Sequence, residues 1–307
     1  MTKQGIVIGY DRSAGAEAGL QWALEEGART HAPVTLVYAF VWRTVTGSIT
    51  MAPTLWPDDS VREAAQNVIA AALARAGKTH PQVAVSGEVV CGDAAAVLVE
   101  KSRRARLVVL SEWCQGGLAD LLVGSISSAV SAHAHCPVVV VRADRLPAGG
   151  PIVVGYDGSD RAELAVEFAI AQAAGQGASL RLVQAWKPPA RWESPGVDPQ
   201  ERIAVQQADL NEVTSRWQDR YPQLQASAQV VVGPAGKALI EASQGARLVV
   251  VGSRGRGSFR GLLLGSVSQQ LLYHAHCPVA VVRNLPGAAP GRPLAARSDR
   301  ASAAPSG

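Results

Sequence analysis

Residues 7–13 read VIGYDRS and residues 153–159 read VVGYDGS, one heptapeptide written twice, 146 residues apart. Working outward, HAHCPVVVVR (133–142) returns as HAHCPVAVVR (274–283), and ARLVVLS (105–111) returns as ARLVVVG (246–252), both 141 residues on. The five-residue difference between the two offsets falls between about Ala39 and Val89, where the copies are least alike. A deletion in a surface segment accounts for it. A repeat of this length is a whole domain, so the 307 residues read as two tandem domains and not as a solenoid of short units.

Each copy alternates strand and helix patterns. GIVIGYD is an apolar run, and Ser13 behind it is a helix cap. Leu20, Ala23, Leu24 and Gly27 then recur at helical spacing, as do Val166, Ala169, Ile170 and Ala173 in the second copy. Further strands are expected at 34–40 and 179–186, at 83–90 and 228–232, at the two ARLVV runs, and at 137–141 and 278–282. Stretches 43–60 and 187–199 carry Pro, Gly and Trp without a period and read as lids.

Strands separated by helices require right-handed crossovers and a parallel sheet covered on both faces. The expected class is α/β: two doubly wound domains, each an open five-stranded parallel sheet with helices on both faces. Boundaries are set at 1–143 and 151–284, with a linker at 144–150 and a disordered tail at 285–307. The apolar last strand of each copy would leave a bare edge, so the copies are expected to pack together there.

Composition narrows the function. Hydrophobic residues make up 48% but aromatics only 5%, which suits a Val, Leu, Ile and Ala core between sheet and helices. Half of the net charge of +4 lies in the tail, where Arg292, Arg297 and Arg300 face only Asp299. No Lys/Arg stripe points to nucleic acid. MTKQG runs straight into a strand and no apolar run is long enough for a membrane span, so a cytoplasmic protein without a membrane partner is expected. Cys91, Cys114, Cys136 and Cys277 form no CxxC pair and read as incidental thiols. His274, His276 and Cys277 read as a helix end before a proline, so no metal is assigned to protein side chains.

The sharpest chemical signal is GSRGRGSFRGLLLGSV, residues 252–267, directly after a fourth strand. Gly252, Gly255, Gly257 and Gly261 are read as positions free to take positive φ and to let a ligand approach the backbone. Gly265 and Ser266 open a helix continuing through Val267 and Ser268, whose first amides suit phosphate oxygens. Arg254, Arg256 and Arg260 add positive charge. On spacing alone, a basic loop without a ligand stays open as the alternative. ALARAGKT (72–79) lacks the first glycine of a P-loop and sits at a helix end, and GRGSFRG is one residue too long for a dinucleotide fingerprint.

With these residues in view, the chain resembles a tandem universal stress protein over nearly all of residues 3–284. The nucleotide motif of that family is Gly, two residues, Gly, nine residues, then Gly-Ser or Gly-Thr. Gly252, Gly255, Gly265 and Ser266 match it. The resemblance implies that Asp157, just after Gly155, holds the adenosine portion; a turn-forming Asp opening a helix is the other reading. It further implies that Ala185 presents backbone to adenine and that Gly233, before Pro234, lies in a ligand-facing loop. The implied protein is a stress-response regulator that binds ATP, with or without magnesium, and is read by a protein partner that the sequence does not identify. A homodimer is allowed.

The first copy offers weaker counterparts, Asp11, Ala39, Gly124 and Ser125. Gly252 becomes Ser111 and Gly255 becomes Cys114; three arginines and no acid in 252–261 become Glu112 and Asp120 in 111–120. Asp93 stands for Pro234 and Ala96 for Lys237. One strong site per chain, in the second copy, is therefore expected, unless Asp11, Gly124 and Ser125 suffice around magnesium. No general base or Walker B carboxylate is evident, so the chain is not read as an enzyme and slow hydrolysis is the most expected of it. One rival is an ATP-dependent enzyme of a related α/β fold, for which the lids offer only Glu193 and Asp198, or Asp58 and Asp59. The other is a partner-binding module without a ligand.

Overall fold

The computed structural model describes residues 5–40, 59–111, 125–145, 149–187, 199–256 and 264–285. The lids, the tail beyond Leu285 and linker residues 146–148 fall largely or wholly outside these segments. The first half runs β1 (Gly5–Gly9), α1 (Ala14–Thr30), β2 (Val34–Phe40), α2 (Asp59–Thr79), β3 (Val85–Cys91), α3 (Ala94–Ser102), β4 (Ala105–Ser111), α4 (Ser125–His133) and β5 (Val138–Val141). The second repeats it as β6 (Ile152–Gly155), α5 (Asp160–Gln176), β7 (Leu180–Trp186), α6 (Pro199–Arg220), β8 (Ala226–Val232), α7 (Ala235–Ala242), β9 (Leu248–Gly252), α8 (Ser266–His274) and β10 (Val279–Val282).

Local chemistry sets the boundaries. The Ser13 hydroxyl accepts the Ala16 N–H at 3.0 Å and opens α1; Ser159 accepts from Ala162 at 3.2 Å and opens α5. His31 and Gly177, both left-handed, close the same two helices. The repeated HAHCP segment also has a structural role. Buried Ser102 and Ser243, equivalent residues, each accept the backbone N–H of the second histidine, His135 or His276, at 2.9 Å. Cys277 behind it is buried, and burial pushes its thiol up to about 12.

Within each half all strands are parallel, in the order β3-β2-β1-β4-β5 and its counterpart β8-β7-β6-β9-β10. The last strands meet as expected: β5 pairs antiparallel with β10, Val138 opposite Val281, Val139 opposite Ala280 and Val140 opposite Val279. Ten strands thus form one sheet. Residues of α1, α2, α5 and α6 build one core against it, and those of α3, α4, α7 and α8 build the other. Both cores run through both halves, and neither half is left with an apolar edge at the join.

The join has a pseudo-twofold axis. Arg142, just past β5, donates to Leu272 O at 2.6 Å and Tyr273 O at 2.8 Å, at the end of α8. Its counterpart Arg283 donates to Ala132 O at 2.5 Å, at the end of α4. Each guanidinium satisfies carbonyls that a helix leaves open at its C-terminus, where positive charge is also favoured.

Candidate functional site

β6 neighbours β7 on one side and β9 on the other, so the strand order reverses at its carboxyl end. That is where open α/β sheets leave a crevice. A cavity of about 290 Å³ lies there, near the lower end of small-ligand sites at roughly 300–1,000 Å³. β6 and the turn behind it supply Gly155, Tyr156 and Asp157, while β7 supplies Val183 and Ala185. Gly252, Arg254, Gly255 and Arg256 come from the end of β9 and its loop, and Gly265, Ser266, Val267 and Ser268 from the start of α8.

Asp157 sits at the centre of the bonding. Its Oδ1 accepts the Ser159 N–H at 3.0 Å and the Ser159 hydroxyl at 2.6 Å, which folds the turn into α5. Its Oδ2 accepts the Arg256 N–H at 2.9 Å, from a segment almost a hundred residues away. Turn-forming and cavity-lining roles therefore meet in one carboxylate.

The glycines act differently from their expected role. Among those of the motif that are described, Gly252, Gly255 and Gly265 all lie outside the left-handed region. At Gly255 and Gly252 space is what excludes a side chain, whereas a Cβ on Gly265 would make only ordinary contacts. A Cβ on Gly255 would stand 2.4 Å from Asp157 Oδ2, and one on Gly252 would stand 3.0 Å from the backbone of Arg161. The left-handed glycine beside the cavity is instead Gly158, at φ 71, and a Cβ there would stand 2.1 Å from the Arg256 guanidinium. That guanidinium donates to Gly158 O at 3.1 Å.

At α8, Gly265 is an extended N-cap without a side-chain bond, and its N–H is anchored on Ser253 O at 2.8 Å. The Gly265 carbonyl goes to Gln269 N, so the amides of Ser266, Val267 and Ser268 have no acceptor within the helix. The Ser268 hydroxyl is committed to Gly252 O at 2.9 Å, tying the helix to the strand end. Beneath the loop, Arg161 donates to the buried Ser253 hydroxyl at 2.9 Å. Burial, then the charges of Arg283 and Arg254, hold the Arg161 guanidinium below its usual range. Asp157 is the one acidic residue lining the cavity among the described residues. The arrangement is thus an electropositive cradle with free amides, fitted to an anion.

Gly233 does not line the cavity. It turns the chain at φ 140, with its N–H on Trp186 O, and the same segment contributes Ala235 and Leu239 instead. Tyr156, Ala162, Val183 and Val251 also line it without having been read from the sequence. Tyr156 had a signal: its hydroxyl donates to Glu163 at 2.7 Å, and Tyr10 bonds Glu17 in the same way in the first half. Burial and that glutamate push both phenols up, Tyr10 to about 12.

Gly124 and Gly257 lie outside the described residues. In the first half Asp11 is exposed, with Oδ1 accepting the Ser13 N–H at 3.0 Å; Ala39 lies in β2 and Ser125 begins α4. A cavity of about 530 Å³ on this half is lined from the β1–α1 turn, α1 and α2, by Tyr10, Arg12, Glu17, Asn67 and Arg75 among others, and includes none of these three. Arg12 occupies the left-handed position, φ 68, that Gly158 holds in the second half.

Among the described residues no cluster of His, Cys, Asp and Glu is arranged to hold a metal, and no helix is long and apolar enough to cross a membrane.

Comparison with known proteins accounts for the doubled architecture. The universal stress protein family model matches residues 4–142 and again residues 150–283. A universal stress protein of Mycobacterium tuberculosis is 35% identical over 291 residues, covering 92% of this chain and 97% of that protein. One from Mycolicibacterium smegmatis is 34% identical over 291 residues, covering 92% and 98%. The crystal structure of a universal stress protein from Archaeoglobus fulgidus shares the fold at a TM-score of 0.66 and 18% identity, covering 92% of this chain and 97% of that one. The chain belongs to the universal stress protein family and carries two of its domains in tandem.

Proposed function

We propose that this chain is a cytoplasmic regulatory protein that holds ATP in its second half, with little or no hydrolysis, and is read by a protein partner in that state. One observation carries the reading: the cavity at the strand-order reversal is floored by glycines whose Cβ atoms would collide with Asp157 and Arg161, and it faces the open amides of α8. Asp157 accepts from the adenosine portion, the backbone near Ala185 flanks the base, and the amides of Ser266, Val267 and Ser268 with Arg254 and Arg256 take the phosphates. The bound nucleotide supplies the charge that this cradle lacks. Any magnesium comes coordinated by phosphate and water, because the cavity offers a single carboxylate that already accepts three bonds. That same carboxylate is a poor general base, and no second acid or base stands beside it among the described lining residues.

Calorimetry on the full chain tests the reading. One equivalent of ATP is expected, lost on Asp157→Ala combined with Gly255→Val. Two equivalents, or binding that survives the double substitution, overturns the placement in the second half. Multiple turnovers at enzyme-like rates, abolished by Gly265→Val, overturn the non-enzymatic reading.

A further inference from the structure

At the join between the halves, three residues of the first half meet their own counterparts in the second. Val139 faces Ala280 across β5 and β10. Glu26 of α1 accepts a hydrogen bond from the Gln172 amide of α5 at 3.0 Å, both side chains being buried at 7% and 2% exposure. Arg29, held on Glu26 through Nε at 3.0 Å and Nη2 at 2.5 Å, lies over Gly175, where a Cβ would stand 1.7 Å from its Nη1. In every pair the first half holds the larger or charged member and the second the smaller or neutral one.

We propose that the halves are keyed to each other: the face made by Val139, Glu26 and Arg29 accepts a partner with a small residue, an amide and a glycine at the matching positions, and rejects a second copy of itself. The pseudo-twofold axis makes the consequences of like-with-like pairing calculable. Two first-half faces would set Glu26 against Glu26 at hydrogen-bond distance with both carboxylates out of water, a repulsive arrangement unless one takes up a proton. Each Arg29 would find another arginine where its guanidinium now covers a glycine, and Val139 would meet Val139, overfilling a packed sheet centre. Two second-half faces carry no such conflict. They leave the Arg29 volume empty and lose its bonds, so they pair loosely but are not rejected. The shared sheet and the Arg142 and Arg283 caps supply attraction common to all three pairings; the three asymmetric pairs supply the discrimination. A second chain can therefore take the first-half face only through its own second half, whereas the second-half face admits its own kind loosely.

The test uses the full chain in three forms. Gln172→Glu with Gly175→Arg and Ala280→Val gives the second half the first half's face. Glu26→Gln with Arg29→Gly and Val139→Ala does the reverse. All six together transpose the faces. The first form is expected to melt roughly 10 °C below the parent, the second several degrees below, and the transposed form to regain most of the loss. A transposed form as unstable as the first overturns the proposal, as does a first form that melts with the parent. If the first form does not fold, Gln172→Glu alone is compared with the Glu26→Gln, Gln172→Glu exchange. The exchange restores a carboxylate–amide pair and is expected to melt well above the single variant; an exchange no better than the single variant overturns the keying.

Discussion

Asp157 Oδ2 accepts the backbone N–H of Arg256 at 2.9 Å and lies 2.4 Å from where a Cβ on Gly255 would stand. The loop after β9 is therefore fitted directly onto the turn after β6. Gly255→Ala is expected to destabilise the protein by about 1–3 kcal/mol, because the carboxylate or the loop must give way. In an Asp157→Ala background most of that cost should vanish, since the colliding atom is gone. A double-mutant cycle by urea unfolding reads this coupling, expected at about 1–2 kcal/mol. Additive costs would show that the collision is not what selects glycine at this position.

Arg12 bears a side chain at φ 68, where the second half uses Gly158 at φ 71. Left-handed backbone costs a non-glycine residue about 1–2 kcal/mol, and glycine costs roughly 0.5–1 kcal/mol more in chain entropy on folding. The balance predicts that Arg12→Gly stabilises the chain by about 0.5–1 kcal/mol. Denaturant midpoints at constant slope measure it; a clear loss of stability would mean that the Arg12 side chain holds the cavity between α1 and α2 together.

Tyr10 titrates near 12 through burial and its bond to Glu17. An unfolded tyrosine ionises near 10, so between about pH 10 and 12 the folded state holds a proton that the unfolded state releases. The stabilisation is complete below pH 10 and is lost as pH rises through that window. Tyr10→Phe should lessen this alkaline decline in the urea midpoint, leaving the part that the raised Tyr156 and Cys277 supply. An unchanged slope would detach the decline from Tyr10.

Ser243 is fully buried; its hydroxyl donates to Ile240 O at 2.5 Å and accepts from His276 N at 2.9 Å. Ser243→Ala leaves that amide buried without its acceptor, at a cost of about 1–3 kcal/mol. Ser102→Ala should cost a similar amount through His135. Thermal unfolding of the two variants checks both, and a neutral result at either site would argue that the amide finds another acceptor.

The fold could be read from the sequence because its elements rest on local periodicity and its doubling on repeated words. Even the β5–β10 join followed from two apolar runs that needed cover. The lining of the cavity was legible where its residues lie in one continuous motif, as at Gly252, Gly255 and Ser266. It was not legible where contacts span the chain. Arg161 stands beside Ser253 across more than ninety residues, with no short pattern pointing to it. The same distance hid why Gly252 and Gly255 are glycines: a reading by local backbone freedom looks to φ, whereas the constraint there comes from Arg161 and Asp157 arriving from elsewhere. Gly233 shows the converse, a left-handed glycine that serves its own turn and leaves the cavity to its neighbours.

The antiparallel meeting of β5 and β10 has a geometric consequence. Because every other pairing in the sheet is parallel, the carboxyl ends of the strands point one way in the first half and the opposite way in the second. The strand end at Gly252 and its counterpart at Ser111 consequently lie on opposite rims of the sheet. Any surface that meets one rim therefore meets the carboxyl ends of one half's strands and the amino ends of the other's. The pseudo-twofold makes the two rims alike in backbone, and it is in their side chains, Gly252 on one and Ser111 on the other, that they differ.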